Sequence, residues 1–142
     1  MNATHAEAVQ NIAVIGAGSW GTALADLLAA KGYAVDLWAY EDEVARQISE
    51  YRENRVFLPG ALLSPNITAQ TDLARATAHH DFIVIAVPSH VMRHVSTRMA
   101  PSLSSDAILV SASKGIGNKT HLTMSGILQQ TLPHVDKRRL AA

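Results

Sequence analysis

Three glycines, Gly16, Gly18 and Gly21, separate an apolar run, Ile12-Ala-Val-Ile15, from an alanine- and leucine-rich segment that continues to Lys31. No other feature restricts the fold of this chain as strongly. The run carries no charge, as a strand covered on both faces requires. Leu24, Leu27 and Leu28 then fall at helical spacing with Asp26 turned outward, which predicts a helix over residues 21–31 stopped by Gly32 in the C′ position. Between the two elements, Gly16 permits a sharp turn, Gly18 lets backbone approach a pyrophosphate, and Gly21 lets the helix sit close to the sheet. The free N–H groups and positive dipole end of that helix favour an anion. No Lys or Arg lies between Asn11 and Leu28, so the backbone itself has to supply the attraction. Strand, glycine turn and helix together form a dinucleotide-binding fingerprint.

With 142 residues, 48% of them hydrophobic, the chain is sized for one domain burying about two-thirds of its unfolded surface. Twelve basic residues balance twelve acidic ones, which leaves no electrostatic footprint for nucleic acid or an anionic membrane. The absence of cysteine removes disulfides, zinc–thiolate sites and thiol nucleophiles, and fits a reducing cytoplasm. Residues 1–10 lack the apolar run of a signal peptide or anchor and are expected to be a flexible tail ahead of a domain over residues 11–142. No apolar run reaches the roughly 20 residues of a spanning helix.

Strands are expected at residues 12–15, 34–39, 67–69, 82–87 and 107–111, with helices between them, and the chain stops at 140–142 as another strand begins. Acidic residues open a second helix over 41–51, Thr71 or Asp72 caps a short one to 78, and Ser89 caps one to 99. A last helix covers 122–132 and closes at Pro133. Residues 52–65, punctuated by Pro59, Gly60 and Pro65, lose periodicity, and a loop of that length is either functional or tied down by side chains. This alternation implies an α/β fold, a Rossmann-type doubly wound parallel sheet of order 3-2-1-4-5. Ligands sit where the winding reverses, so residues 16–21, 87–90 (with Pro88) and 113–117 converge on one crevice.

The end of the second strand meets the adenine ribose, where an acid serves NAD and a base serves NADP. Here stand Tyr40, which stacks or donates a hydrogen bond, and Glu41, which repels a phosphate, and this favours NAD. Arg46 remains a cation able to swing in, and Glu41 and Asp42 also suit the helix N-terminus. Trp20 either covers the cofactor or packs into a wall, and Trp38 is expected to be structural. Lys114 follows a strand ending in the crevice, beside the presumed nicotinamide, and is a candidate contact to cofactor and substrate. Residues 113–120 lack the glycines of a phosphate-binding P-loop. His90 and His94 stand one helical turn apart without a third ligand, so no metal is expected and an exposed face is. The other histidines carry no signal, Asp81 and Asp106 read as solvated strand entries, and no Ser-His-Asp signature appears.

Gly16-Ala-Gly-Ser-Trp-Gly-Thr-Ala-Leu24, Leu37-Trp38, Phe57-Leu-Pro-Gly60, Pro65-Asn-Ile67, Val87-Pro-Ser89 and Ser113-Lys-Gly-Ile116, in that order, resemble the bacterial-type NAD(P)-dependent glycerol-3-phosphate dehydrogenases. The resemblance implies a Rossmann domain followed by an all-helical one. It implies reversible hydride transfer between dihydroxyacetone phosphate and sn-glycerol 3-phosphate, feeding phospholipid synthesis in the cytoplasm, with a homodimer possible. Ser19 and Trp20 match the family's cofactor-contacting pair, and Lys114 the lysine touching cofactor and substrate. Tyr40 stands where members commonly carry Arg or His at the adenosine end. The 57–60 loop resembles a segment over the cofactor cleft. Because the family's substrate-phosphate and catalytic residues lie in its helical domain, this chain is expected to bind cofactor without turnover. Two other readings stay open: a non-catalytic dinucleotide sensor, against which Lys114 speaks, and a dehydrogenase of another small hydroxy substrate.

Overall fold

The computed structural model describes residues 11–142, so the tail expected at residues 1–10 lies outside the described residues. Six strands form one parallel sheet: β1 (Asn11–Ile15), β2 (Ala34–Trp38), β3 (Ile67–Gln70), β4 (Phe82–Ile85), β5 (Ile108–Ser111) and β6 (Leu140–Ala141). Their spatial order is β3-β2-β1-β4-β5-β6, so the winding reverses between β1 and β4, as the alternation implied. Leu140 and Ala141 pair with Leu109 and Val110, so the chain has already entered a sixth strand.

Side chains leave a strand alternately to its two faces, and here both faces are covered. Ile12 and Val14 of β1 pack with Val35 and Leu37 against α1 (Ser19–Ala30) and α2 (Asp42–Tyr51). Ala13 and Ile15 join Trp38, Ile83 and Ile85 under α3 (Leu73–Thr77), α4 (Met92–Met99) and α5 (Met124–Thr131). Each layer is a dry apolar cluster, and the sheet is the shared wall.

Several local boundaries depart from the sequence expectation. Helix α1 begins at Ser19 rather than Gly21, and its buried face is Gly21, Thr22, Ala25 and Ala29, whereas Leu27 is exposed. Small residues bring the helix axis close to the sheet and leave the leucines at the rim. Asp26 is not turned outward but half-buried, accepting a 2.8 Å bond from the Ser64 N–H. Gly32, at φ +99°, takes the left-handed position after the helix as expected. Asp72 caps α3 by accepting from the Arg75 N–H. Ser89 makes no capping bond, because a 3-10 turn (Ser89–Val91) intervenes before α4. Helix α5 begins at Met124, where the Thr123 hydroxyl accepts from the Gly126 N–H. Strand β4 ends at Ile85, short of Val87.

The 52–65 loop is tied down. Asn54, fully buried, donates to the Ala17 carbonyl and the Thr22 hydroxyl, both at 2.9 Å, and accepts from the Phe57 N–H at 3.0 Å. Leu63 is buried in the α1–α2 layer, and the Asn66 side chain donates to the Ala29 carbonyl. An irregular segment thereby acquires the hydrogen bonds its backbone and side chains need.

Candidate functional site

A cleft of about 800 Å³ opens over the carboxyl ends of β1, β4 and β5, at the reversal of the winding. Its floor is built from Gly16 to Trp20, from Ala86 to Pro88, and from Ala112 to Lys114. These are the cores of the three segments expected to converge. Ser89, His90, Gly115 and Gly117 do not line the cleft, although residues 87–90 and 113–117 were expected to meet there. Gly115, at φ +117°, instead backs onto the Ser89 side chain.

The three glycines divide by what requires them. A Cβ on Gly16 would stand 2.7 Å from the Ala86 carbonyl oxygen, on a backbone at φ +115°. A Cβ on Gly21 would meet the Gly16 carbonyl oxygen at 1.8 Å, so Gly21 lies beneath the cleft and serves packing. Gly18 adopts an ordinary φ of −70°, and among the described residues a Cβ there would meet no atom within 4 Å beyond its own chain neighbours. The fold has no use for a glycine at that position, and the space it keeps open faces the cleft. It is also the N-cap of α1 and offers no capping side chain, so the first N–H groups of the helix remain available to an anion. A pyrophosphate fits this donor set.

Around the floor, Trp20 is half-exposed rather than packed into the core, and its indole N–H reaches the Ala112 carbonyl at 3.2 Å. The ring bridges from the glycine turn to the end of β5. The Ser19 hydroxyl donates to the Phe57 carbonyl, which fastens the loop to the start of α1 and sets Phe57 into the cleft wall. Ser113 donates to the Val87 carbonyl at 2.6 Å and ties the ends of β4 and β5 together. Lys114 is exposed at the cleft edge and makes no ion pair among the described residues.

At the other end, Trp38 is buried with its indole N–H on the Thr71 carbonyl at 2.9 Å, as its structural assignment requires. Tyr40 is largely exposed and stands edge-on to Trp38, with ring centroids 6.3 Å apart. Glu41 lines the cleft beside it. Arg46 does not swing in: it holds Glu43 through two nitrogens and Glu50 through the third, at 2.7 to 3.0 Å. Hydrogen bonds from Gln47 and Arg46 hold the Glu43 carboxyl below its ordinary value, which keeps the pair charged.

Sequence reasoning missed the contribution of α4. His94, Val95 and Arg98 share one face of α4 with Val91 of the preceding turn, and all four line the cleft. His94 was expected merely on an exposed face. It is exposed, but toward the cleft. His80, read as carrying no signal, is buried, with Asp36 at 2.8 Å and the Ala78 carbonyl at 2.9 Å, away from the cleft. Among the described residues no helix is long and apolar enough to cross a membrane.

Comparison with known proteins agrees with this geometry. Glycerol-3-phosphate dehydrogenase [NAD(P)+] of Syntrophobacter fumaroxidans is 52% identical over 122 residues, covering 86% of this chain and 36% of that protein. The Geobacter sp. (strain M21) enzyme of the same name is 49% identical over 133 residues, covering 94% of this chain and 40% of its own length. The chain thus spans less than half the length of these relatives. The crystal structure of glycerol-3-phosphate dehydrogenase from Coxiella burnetii superposes with a TM-score of 0.82 at 32% identity, over 89% of this chain and 38% of that one. Prephenate dehydrogenase from A. aeolicus, at 17% identity and a TM-score of 0.64, shares the fold. The family described as NAD-dependent glycerol-3-phosphate dehydrogenase N-terminus matches residues 11–141, and the chain belongs to that family.

Proposed function

We propose that this chain is the cofactor-holding domain of a cytoplasmic glycerol-3-phosphate dehydrogenase, binding NAD(H) or NADP(H) in the cleft over β1, β4 and β5. The observation that carries the reading is Gly18, a glycine that neither backbone strain nor any neighbour among the described residues requires. Gly16, Ser19 and Trp20 complete the phosphate-facing turn, Pro88 and Val87 form the floor, and Tyr40 marks the adenosine end. Lys114 stands at the end of β5, where the reacting ring and substrate meet. When bound, the nicotinamide would donate a hydride to dihydroxyacetone phosphate in its reduced form or accept one from sn-glycerol 3-phosphate in its oxidised form. The protein's part is to bind, to orient and to place a cation near the substrate oxygens.

Lys114 alone does not make a substrate pocket. A phosphate monoester calls for several convergent donors, and the other cation lining the cleft, Arg98, lies on α4. A helical domain following this one, in a protein that forms a homodimer, is the natural source of the rest. The 142-residue chain is therefore expected to bind cofactor without turning it over. The test is titration calorimetry with NADH and NADPH, paired with thermal unfolding. At a hundredfold excess over Kd, a ligand specific for the folded state stabilises it by about 2.7 kcal/mol. No binding and no shift in Tm with either nucleotide would refute the cofactor assignment. Steady oxidation of NADH by the chain with dihydroxyacetone phosphate would refute the claim that it does not turn over.

A further inference from the structure

The adenosine end of the cleft carries an unexplained charge. Where β2 ends, Trp38, Tyr40 and Glu41 line the cleft, and none of them receives a phosphate. The nearest cation in sequence, Arg46, is committed to Glu43 and Glu50. On the same side of the sheet as Trp38, however, α4 and the turn before it present Val95 and Val91 to the cleft, with Arg98 and His94 flanking them. A basic residue in the last turn of a helix ordinarily answers the helix dipole. Arg98 does lie in the last turn of α4, but its side chain lines the cleft and makes no hydrogen bond or ion pair among the described residues. It is an exposed guanidinium with its donors unspent, in a cleft that Trp38 and Tyr40 also line.

We propose that Arg98 is a cofactor-contacting residue that receives the 2′-phosphate of NADP(H), supplying from α4 the cation that the end of β2 lacks. The inference rests on the dinucleotide reading above. It also revises the preference drawn from Tyr40 and Glu41: those two residues serve a 2′-hydroxyl, and Arg98 adds the capacity for a 2′-phosphate, so the chain accepts both cofactors. A guanidinium suits this task because its planar fork bonds a phosphate through two N–H groups at once, whereas the neighbouring imidazole of His94 offers a single contact.

The experiment is calorimetric titration of NADH and NADPH into the chain and into its Arg98→Gln and Arg46→Ala variants. Both positions are exposed, so neither variant threatens the fold. Arg98→Gln is expected to weaken NADPH by about tenfold or more while changing NADH by less than about threefold, the signature of a charge-assisted contact to the extra phosphate. Arg46→Ala is expected to change neither. If Arg98→Gln leaves NADPH affinity unchanged, or weakens both cofactors equally, the inference is wrong while the cofactor assignment stands. It is equally wrong if Arg46→Ala is the variant that costs NADPH binding. If the unaltered chain binds neither nucleotide, the assignment itself fails and takes this inference with it.

Discussion

At the scale of single residues, the glycine turn separates structural from functional need, and two substitutions test the separation. Gly21→Ala drives a methyl group into the Gly16 carbonyl oxygen, backbone that cannot step aside, and is expected to destabilise the domain by about 3 kcal/mol or more. Gly18→Ala meets no atom of the described residues beyond its chain neighbours and keeps an allowed φ. Its cost to stability is the poorer N-cap, about 1 kcal/mol at most. The methyl nevertheless intrudes where backbone and pyrophosphate approach, so dinucleotide affinity is expected to fall about tenfold or more. Chemical denaturation and calorimetry on both variants check the pair. A Gly18→Ala variant that binds as well as the parent would remove the observation on which the function rests.

Among elements, the strands were legible because burial on both faces demands continuous apolar runs, and all five of the expected strands form with boundaries shifted by a few residues. Helix starts were less legible, since they depend on partners remote in sequence. Helix α4 opens through a 3-10 turn in place of a Ser89 cap, and the half-buried Asp26 of α1 is explained by a bond to Ser64 in the loop. Asn54 shows the same limit: nothing in its neighbourhood marks it as buried, yet it joins the loop to both α1 and the glycine turn. Asn54→Ala is expected to cost about 2 to 4 kcal/mol, because it strands the Ala17 carbonyl, the Thr22 hydroxyl and the Phe57 N–H. Faster amide exchange at 55–60 would accompany the loss, and unchanged exchange there would show that the loop is held by other contacts. At the far end of the sheet, the Arg138 side chain, helped by its backbone N–H, holds the Asp136 carboxyl at about 2 against an ordinary 3.8. A depressed folded value means that the contribution is complete above about pH 4 and is lost as pH falls toward 2. A carboxyl-carbon NMR titration is expected to show that low midpoint, and Arg138→Ala to raise it toward 3.8 without reaching it, because the backbone bond survives.

At the scale of the fold, the sheet lies between two separate apolar clusters of the described residues, and this decides how the domain should unfold. The cleft was legible at this scale because topology alone brings the ends of β1, β4 and β5 together. The α4 wall was not, since a helix with Val95 on its apolar stripe and His94 and Arg98 beside it looks the same whether its polar flank meets water or a ligand. The layers themselves give a test. Ile48 of α2 is buried in one and Ile127 of α5 in the other, with the sheet between them. Each Ile→Val change removes one methylene and is expected to cost about 0.5 to 1.5 kcal/mol. If the sheet makes one cooperative unit of the layers, the double variant should lose the sum to within about 0.5 kcal/mol. Fluorescence and circular dichroism should then report a single denaturation midpoint. Separate midpoints for the two probes would mean that the α1–α2 layer, which carries the glycine turn, opens independently of the layer that carries Arg98. In that case, cofactor binding across both layers should bring the midpoints together, because a ligand held by both walls stabilises only the state in which both are formed.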